Sequence, residues 1–392
     1  MENILIKLIK NLYKYFIYLI ITNENYRKSI LNTIIIILNV NRKNIVFFDM
    51  FPSHWQFSKP LVDRLKNSYR VCIMIGDKNH PVLQEHDLDY KAYYIDNEYK
   101  FLFKLFNLSL MITPASNFSS RFKPRNVNLI HMFHSIVSMH YVYGDGAFDG
   151  YDTFFAVGPH HIEELKRTQE LRGWKNKKFL EIGYPKIEEL VNQEPKLQNT
   201  NVKIKVLFAS SWGEYNLLKL HGLEIINKVL DMGYKIVVRP HPHSFMYDKK
   251  TIQAIKQIAL KDNSCVLEDS NFAALESFNK SDILISDYSG AAYEYAFGLL
   301  KPVLFIDVPK KISSLTKEQL EYLPMEVTCR EQIGAVTTME NFEENFRNIL
   351  DNQDRWKDII KEVRKDYIFN PSNSIEKAVE AIIRLKEEID GK

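Results

Sequence analysis

The chain has 392 residues, of which 45% are hydrophobic, so it is long enough to bury the cores of two domains. Its formal net charge is only +3, with neither a basic stripe nor an RNA-binding motif, which excludes an electrostatic argument for nucleic-acid binding. The three cysteines, Cys72, Cys265 and Cys329, have the spacing of neither a disulfide framework nor a zinc site and therefore indicate a reducing compartment.

Residues 1–40 differ in composition from the rest of the chain. Their apolar residues are interrupted by Lys7, Lys10 and Lys14, which share one face of a helix and are too many for a membrane-spanning segment. No cleavage site for a signal peptide follows. The pattern predicts an amphipathic helix on an anionic membrane surface, at its cytoplasmic face. The alternative is an apolar helix that packs on the first domain.

Apolar strands alternate with helical stretches in residues 41–195, the predicted N-terminal domain. The predicted strands are residues 45–49, 69–75, 108–113, 127–134, 153–157 and 178–182. This alternation predicts an α/β fold with a doubly wound parallel sheet. The polar run at residues 192–201 then separates the two halves and is the predicted linker.

The second half, residues 202–340, repeats the same alternation and is followed by a charged helical tail at residues 341–392. Its most informative segment is the polar turn at residues 286–290, which joins an apolar strand to a helix. Free N–H groups at a helix start, with the Ser289 hydroxyl, form a site for an anion such as a diphosphate. A helix cap without a ligand is the alternative.

Two other predicted strands of this half also end in polar residues. One strand leads into Ser210 and Ser211, and the next ends in Arg239 and His241. Ligands of open α/β sheets lie outside the carboxyl ends of the strands. We therefore expect these residues to converge with Ser289 on one crevice.

Three motifs in this half, in this order, resemble those of the CDP-glycerol glycerophosphotransferase family, whose members build teichoic acids and related capsule polymers. The family patterns Ala-Pro-Thr-Trp-Arg, Arg-x-His-Pro and Ser-Asp-x-Leu-Ile-x-Asp-Tyr-Ser-Ser correspond to residues 209–213, 239–242 and 281–290. The resemblance covers most of residues 130–310. It implies a GT-B architecture, with two Rossmann-like domains, a cleft between them, and C-terminal helices that pack back across both halves.

The resemblance also implies roles for two histidines. His134 matches the histidine of the family's His-Gly-Thr element and is the predicted base that deprotonates the acceptor hydroxyl. His131 lies three residues earlier and is the alternative. His241, with Arg239, is predicted to stabilise the negative charge that develops on the leaving nucleotide.

The remaining predicted site residues bind the donor. The full donor set is Ser210, Ser211, Arg239, Asp287, Ser289, Gly290 and Glu294. Within this set, Glu294 is a candidate for binding the ribose hydroxyls. The alternative is that Glu294 is an exposed carboxylate on the helix and binds no ligand. No metal and no other cofactor is expected, because Asp87 and Asp89 have metal-site spacing but lie in a polar loop away from the motifs.

The predicted reaction moves glycerol phosphate or ribitol phosphate from a CDP-activated donor to a hydroxyl group of a lipid- or polymer-linked acceptor, and releases CMP. Two other enzymes remain open: a GT-B nucleotide-sugar glycosyltransferase of surface polysaccharide synthesis and a nucleotide-sugar 2-epimerase. A catalytically silent membrane scaffold is the alternative from another class. The donor that is consumed would distinguish these possibilities.

Overall fold

The computed structural model describes residues 22–85, 88–139, 143–193, 204–268, 274–309 and 322–391. Two parallel β-sheets organise these residues, one in each half of the chain. The predicted basic face of Lys7, Lys10 and Lys14 lies outside the described residues, as do most of the predicted linker and Asp87.

The first sheet has seven parallel strands in the order β3-β2-β1-β4-β5-β6-β7. They are β1 (Ile45–Asp49), β2 (Val71–Ile75), β3 (Lys91–Tyr94), β4 (Leu110–Thr113), β5 (Asn128–Met132), β6 (Thr153–Ala156) and β7 (Lys178–Glu181). The strands β1, β2, β4 and β6 are buried along their whole length, as expected of apolar runs covered on both faces. The helices of this half are α1 (Glu24–Asn39), α2 (Trp55–Leu65), α3 (Pro159–Arg172) and α4 (Pro185–Val191).

The second sheet has six parallel strands in the order β10-β9-β8-β11-β12-β13. They are β8 (Lys205–Phe208), β9 (Lys235–Val238), β10 (Cys265–Leu267), β11 (Ile283–Ser286), β12 (Val303–Ile306) and β13 (Gly334–Thr337). The helices are α5 (Leu217–Asp231), α6 (Ser244–Tyr247), α7 (Lys249–Lys261), α8 (Ala274–Lys280), α9 (Gly290–Leu299), α10 (Met325–Thr328), α11 (Phe342–Asp351), α12 (Gln353–Tyr367) and α13 (Ser374–Asp390).

The predicted fold class of two doubly wound parallel sheets is confirmed. The strand order reverses between β1 and β4 in the first sheet and between β8 and β11 in the second. Such reversals open a crevice at the carboxyl ends of the strands, where ligands bind. Three strands that the sequence did not predict, β3, β10 and β13, all lie at sheet edges.

Helix α1 packs on the first sheet through one face. Its buried residues include Tyr26, Ser29 and Ile36. The backbone N–H of Asp96 donates to the Ser29 hydroxyl at 3.0 Å, and the Asn32 amide donates to the Tyr94 carbonyl at 2.7 Å. Residues 24–39 of the predicted N-terminal segment are therefore tied to the first half, as in the alternative that the sequence left open.

The C-terminal helices contact both halves. Arg364 of α12 donates to the carbonyl oxygen of Phe297 in the second half at 2.9 Å. Beyond α12, the backbone N–H of Phe369 donates to the Val157 carbonyl of the first half at 2.9 Å. Helix α13 stays on the first half, where the Ser374 hydroxyl donates to Glu188 at 2.8 Å. The tail thus contacts both halves.

Candidate active site

A pocket opens at the carboxyl ends of β8, β9 and β11, which are neighbours in the second sheet. Its volume is about 100 Å³, and it is lined by Ser210, Arg239, His241, Glu268 and Ser289, among others. Its arginine, histidine and serine side chains are hydrogen-bond donors of the kind that bind a phosphate group. Three of the predicted donor residues, Ser210, Arg239 and Ser289, are thus brought together with the predicted catalytic His241, and Glu268 is an addition.

The polar turn at the start of α9 forms one wall of this pocket. Ser289 is the N-cap residue of α9, and its hydroxyl accepts the Ala291 N–H at 3.4 Å. Gly290 lies near the first half, because a Cβ atom there would be 3.4 Å from the Ser135 hydroxyl and 3.6 Å from Val137. The start of α9, in which the Ala292 N–H bonds the Ser289 carbonyl at 3.1 Å, is therefore next to the loop that follows β5.

Arg239 supplies the positive charge of the pocket. Its guanidinium donates to Glu268 at 3.1 Å and to the Ser277 hydroxyl at 3.3 Å, which fixes its orientation. Burial lowers the pKa of Arg239, and the Glu268 carboxylate opposes this change. Arginine stays protonated at neutral pH even so.

His241 presents a hydrogen-bond donor beside Arg239. Its Nδ1 accepts the backbone N–H of His243 at 3.2 Å, so the proton of the neutral ring lies on Nε2. The rings of His241 and His243 stack, and the partly exposed ring of Trp212 lies 5.8 Å from His241 between centroids. A donor and a flat apolar surface therefore adjoin the pocket.

Behind the pocket, Ser211 and Asp287 are hydrogen-bonded to each other. The carboxylate of Asp287 is fully buried and accepts the Ser211 N–H at 2.7 Å, the Ser211 hydroxyl at 2.9 Å and the Leu217 N–H at 3.0 Å. Burial raises the pKa of Asp287, and these hydrogen bonds oppose that shift. Both residues are engaged in holding the loop after β8 to the end of β11.

His134 belongs to the first half, two residues after β5, and lies outside the lining of this pocket. Its Nδ1 is 2.7 Å from the carbonyl oxygen of Pro114, which follows β4. A carbonyl can only accept, so Nδ1 carries the proton and the lone pair of the neutral ring lies on Nε2. Burial lowers the pKa of His134 below its ordinary value of 6.5. The ring is thus neutral at pH 7, as a general base must be.

The family model for CDP-glycerol:poly(glycerophosphate) glycerophosphotransferases matches residues 30–384. The chain belongs to this family. A curated relative, the teichoic acid glycerol-phosphate primase of Bacillus subtilis (strain 168), is 25% identical over 222 residues, which are 53% of this chain and 54% of the relative. The chain therefore matches only about half the length of that curated relative.

Solved structures of similar fold include family and non-family proteins. The wall teichoic acid polymerase TagF covers 96% of this chain and 98% of its own, with a TM-score of 0.64 and 16% identity. The UDP-GlcNAc 2-epimerase of Methanocaldococcus jannaschii covers 87% of this chain and 99% of its own, with a TM-score of 0.56 and 13% identity. At these identities the likeness establishes the shared two-domain fold.

Glu294, predicted to bind ribose, lies outside the lining of this pocket. It is buried between the halves, where it accepts from the Tyr184 hydroxyl at 2.9 Å and pairs with Lys186. The Tyr184 hydroxyl also lies 3.1 Å from the carbonyl oxygen of His134. Through Tyr184, Glu294 thus links α9 to the loop that carries His134. The carboxylate that lines the pocket is that of Glu268.

Two residues near the site had no role in the sequence interpretation. Glu268 follows β10, a short edge strand that the apolar pattern does not reveal. His54 lies in the turn after β1, and its position after a buried strand was the available signal. Among the residues that the structure describes, no group of three His, Cys, Asp or Glu side chains could hold a metal ion.

The fall of kcat/KM at low pH should report the protonation of His134. Its lowered pKa means that the base loses activity only when the pH falls below that value, which is under the ordinary 6.5. We expect kcat/KM to rise with pH through this lowered pKa and then to stay level through neutrality. A midpoint above 6.5 in the measured profile would contradict the desolvated, neutral base.

Proposed function

We propose that the protein transfers glycerol phosphate from CDP-glycerol, or ribitol phosphate from CDP-ribitol, to a hydroxyl group of a cell-surface polymer and releases CMP. The observation that supports this proposal is the proximity of Gly290 to Ser135, because a Cβ atom at position 290 would be in van der Waals contact with the Ser135 hydroxyl. The proposed anion-binding helix start of one half therefore lies beside the residue after His134 of the other. The family membership supports the polyol-phosphate donor.

The proposed reaction is a displacement at the β-phosphorus of the donor. Nε2 of His134 takes the proton of the acceptor hydroxyl, whose oxygen forms the new bond to phosphorus. The bond between this phosphorus and the bridging oxygen breaks, and its electron pair leaves with CMP. Arg239 and His241 stabilise the charge on the departing phosphate, and the start of α9 binds the oxygens of the transferred group.

The rest of the donor extends from the phosphate pocket across the second half. We propose that Glu268, rather than Glu294, accepts hydrogen bonds from the ribose hydroxyls, because Glu268 lines the pocket while Glu294 is paired between the halves. The exposed ring face of Trp212 can stack with the cytosine base. Ser211 and Asp287 then act as positioning residues for this wall.

A donor panel tests the proposed function. The purified protein is incubated with a soluble acceptor analogue and, separately, with CDP-glycerol, CDP-ribitol and a set of nucleotide-sugars. We expect acceptor-dependent release of CMP from one CDP-polyol. Release of a nucleoside diphosphate from a nucleotide-sugar would instead identify a glycosyltransferase, and interconversion of the sugar without transfer would identify an epimerase.

We also propose that the protein binds the cytoplasmic face of the membrane through its N-terminal segment, where a lipid-linked acceptor would lie. The outward face of α1 supports this, because Leu31, Ile34, Ile37 and Leu38 are all at least 50% exposed. Exposed Arg27 and Lys28 begin the same helix. An apolar stripe with basic residues nearby suits an anionic interface. None of the described helices is long and apolar enough to cross a membrane.

Charge placed on this stripe should weaken membrane binding. Ile34→Glu with Leu38→Glu is expected to reduce binding to anionic vesicles about tenfold or more, because apolar contact is lost and the added charges are repelled. Leu260→Glu, at an exposed leucine of α7, is the control. Cosedimentation at low and high salt measures the effect. If the α1 variant and the Leu260→Glu control bound the vesicles equally, α1 would not be part of the membrane contact.

A further inference from the structure

A second histidine lies beside the proposed base. His54 ends the short 3-10 turn after β1, and its ring stacks on that of His134 with centroids 5.4 Å apart and planes 30° apart. Strands β1 and β5 flank β4, whose following residue Pro114 holds His134. Both rings therefore lie at the carboxyl edge of the first sheet, at the reversal of strand order where ligands bind.

The two rings form a neutral pair. Burial, with the nearby charges of His134 and His80, lowers the pKa of His54 well below its ordinary value. Burial likewise lowers the pKa of His134. When His134 takes a proton, its positive charge further opposes protonation of His54. Each ring therefore keeps one N–H donor and one acceptor nitrogen at neutral pH.

The surroundings of His54 leave a polar atom of its ring without a partner. His54 is only 4% exposed, and its Nδ1 is buried without a hydrogen bond among the described residues. By contrast, both nitrogens of the buried His161 ring are paired, Nε2 with the Val137 carbonyl at 2.9 Å and Nδ1 with the Val157 N–H at 3.4 Å. His160 also has an unpaired Nδ1, but its Nε2 bonds a backbone carbonyl at 2.8 Å. Leaving a buried polar atom unpaired costs stability, and such atoms need an explanation.

Two other polar residues near this end of the first sheet, His80 and Asp49, are fully buried, with His80 Nε2 3.4 Å from Asp49 Oδ2. Asp49 also accepts the Ser58 hydroxyl at 2.6 Å, and His80 Nδ1 accepts the Val82 N–H at 3.3 Å. The Val82 contact assigns the ring proton of His80 to Nε2, toward Asp49. His80 is near enough to His54 for its charge to lower the pKa of His54.

We propose that His54 binds the acceptor beside His134 and selects acceptors in which the attacking hydroxyl has a neighbouring hydroxyl. This inference rests on the proposed function, because it assigns His134 to the attacking hydroxyl. One nitrogen of each stacked ring faces one hydroxyl of a vicinal diol. His134 removes the proton of the first, and His54 forms a hydrogen bond with the second without taking its proton. His54 is therefore the residue that recognises the second hydroxyl of an acceptor end that carries a vicinal diol.

Equilibrium binding of a matched acceptor pair tests this inference without turnover. The probes are glycerol 3-phosphate methyl ester and the methyl phosphate of propane-1,3-diol, which lacks only the middle hydroxyl. We expect the full-length protein to bind the diol about tenfold more tightly, as one hydrogen bond allows. In His54→Phe, which keeps a ring but has no nitrogen, this preference should fall below about twofold, while affinity for the mono-ol stays unchanged.

Two further variants serve as a control and a rescue for His54→Phe. Phe51→Leu alters an exposed ring that contacts His54 and should keep the full preference for the diol. His54→Asn restores a donor and an acceptor and should recover part of the preference, including if the Phe variant folds poorly. Equal loss of both ligands in His54→Phe, or an undiminished preference, would overturn the inference. The proposed function fails separately, if no CDP-polyol yields CMP with the wild-type protein.

Discussion

His134→Ala should lower kcat by about two to four orders of magnitude, which is the usual contribution of a positioned general base. The acceptor hydroxyl must lose its proton as it attacks, and Nε2 is the unprotonated nitrogen of the His134 ring, because Nδ1 donates to the Pro114 carbonyl. CDP-glycerol binding should change little, because the donor residues all belong to the second half. Single-turnover rates and donor affinity, measured on the same preparation, separate the two effects.

His134→Asn is the companion variant. Asparagine can still donate to the Pro114 carbonyl but cannot accept a proton near neutral pH, so it keeps the loop contact and removes the base. We expect it to be as slow as His134→Ala, with a melting temperature closer to that of the wild-type protein. If either variant turned over at the wild-type rate, His134 would have no part in the chemistry.

Arg239→Ala and Ser289→Ala should each weaken CDP-glycerol binding by about 1.5–3 kcal/mol, because each removes a hydrogen bond to a charged group. This corresponds to about a tenfold to hundredfold change in Kd. Binding of cytidine, which has no phosphate, should be unaffected. Arg384→Ala, at an exposed arginine of α13, is the control. A similar loss of affinity for CDP-glycerol and for cytidine would contradict a phosphate-binding role.

The pairing of Arg239 with Glu268 makes the arginine variant more informative. Without Arg239, the carboxylate of Glu268 stands unopposed in the pocket and repels the donor diphosphate. Arg239→Ala combined with Glu268→Gln should therefore bind CDP-glycerol more tightly than Arg239→Ala alone. Purely additive losses in this double-mutant cycle would show that Glu268 does not act on the phosphates.

The sequence predicted the buried strands and the edge strand β7, but not the other described edge strands, β3, β10 and β13. β1, β2 and β11 are continuous apolar runs, which only a strand covered on both faces requires. An edge strand such as β3 is less covered by the rest of the fold, so fewer of its residues need to be apolar. Lys91, the first residue of β3, is exposed. The tail helices were predicted from their composition, but their contacts with both halves depend on distant residues.

The same distinction holds for the site. Ser289, Arg239 and His241 follow strands in local motifs, so residue order alone predicted that they converge. Glu294 shows the limit, because its partners Lys186 and Tyr184 are more than 100 residues away and belong to the other half. A helix carboxylate next to a phosphate turn gives no local sign of such pairing.

The fate of the donor's β-phosphorus shows whether the acceptor attacks phosphorus or carbon. CDP-glycerol labelled with ³²P at the β-phosphate is incubated with the wild-type protein and a soluble polymer acceptor. We predict that the label enters the polymer one for one with the release of unlabelled CMP, and that His134→Ala stops both. Release of the label as CDP, with glycerol alone joined to the acceptor, would contradict attack at phosphorus.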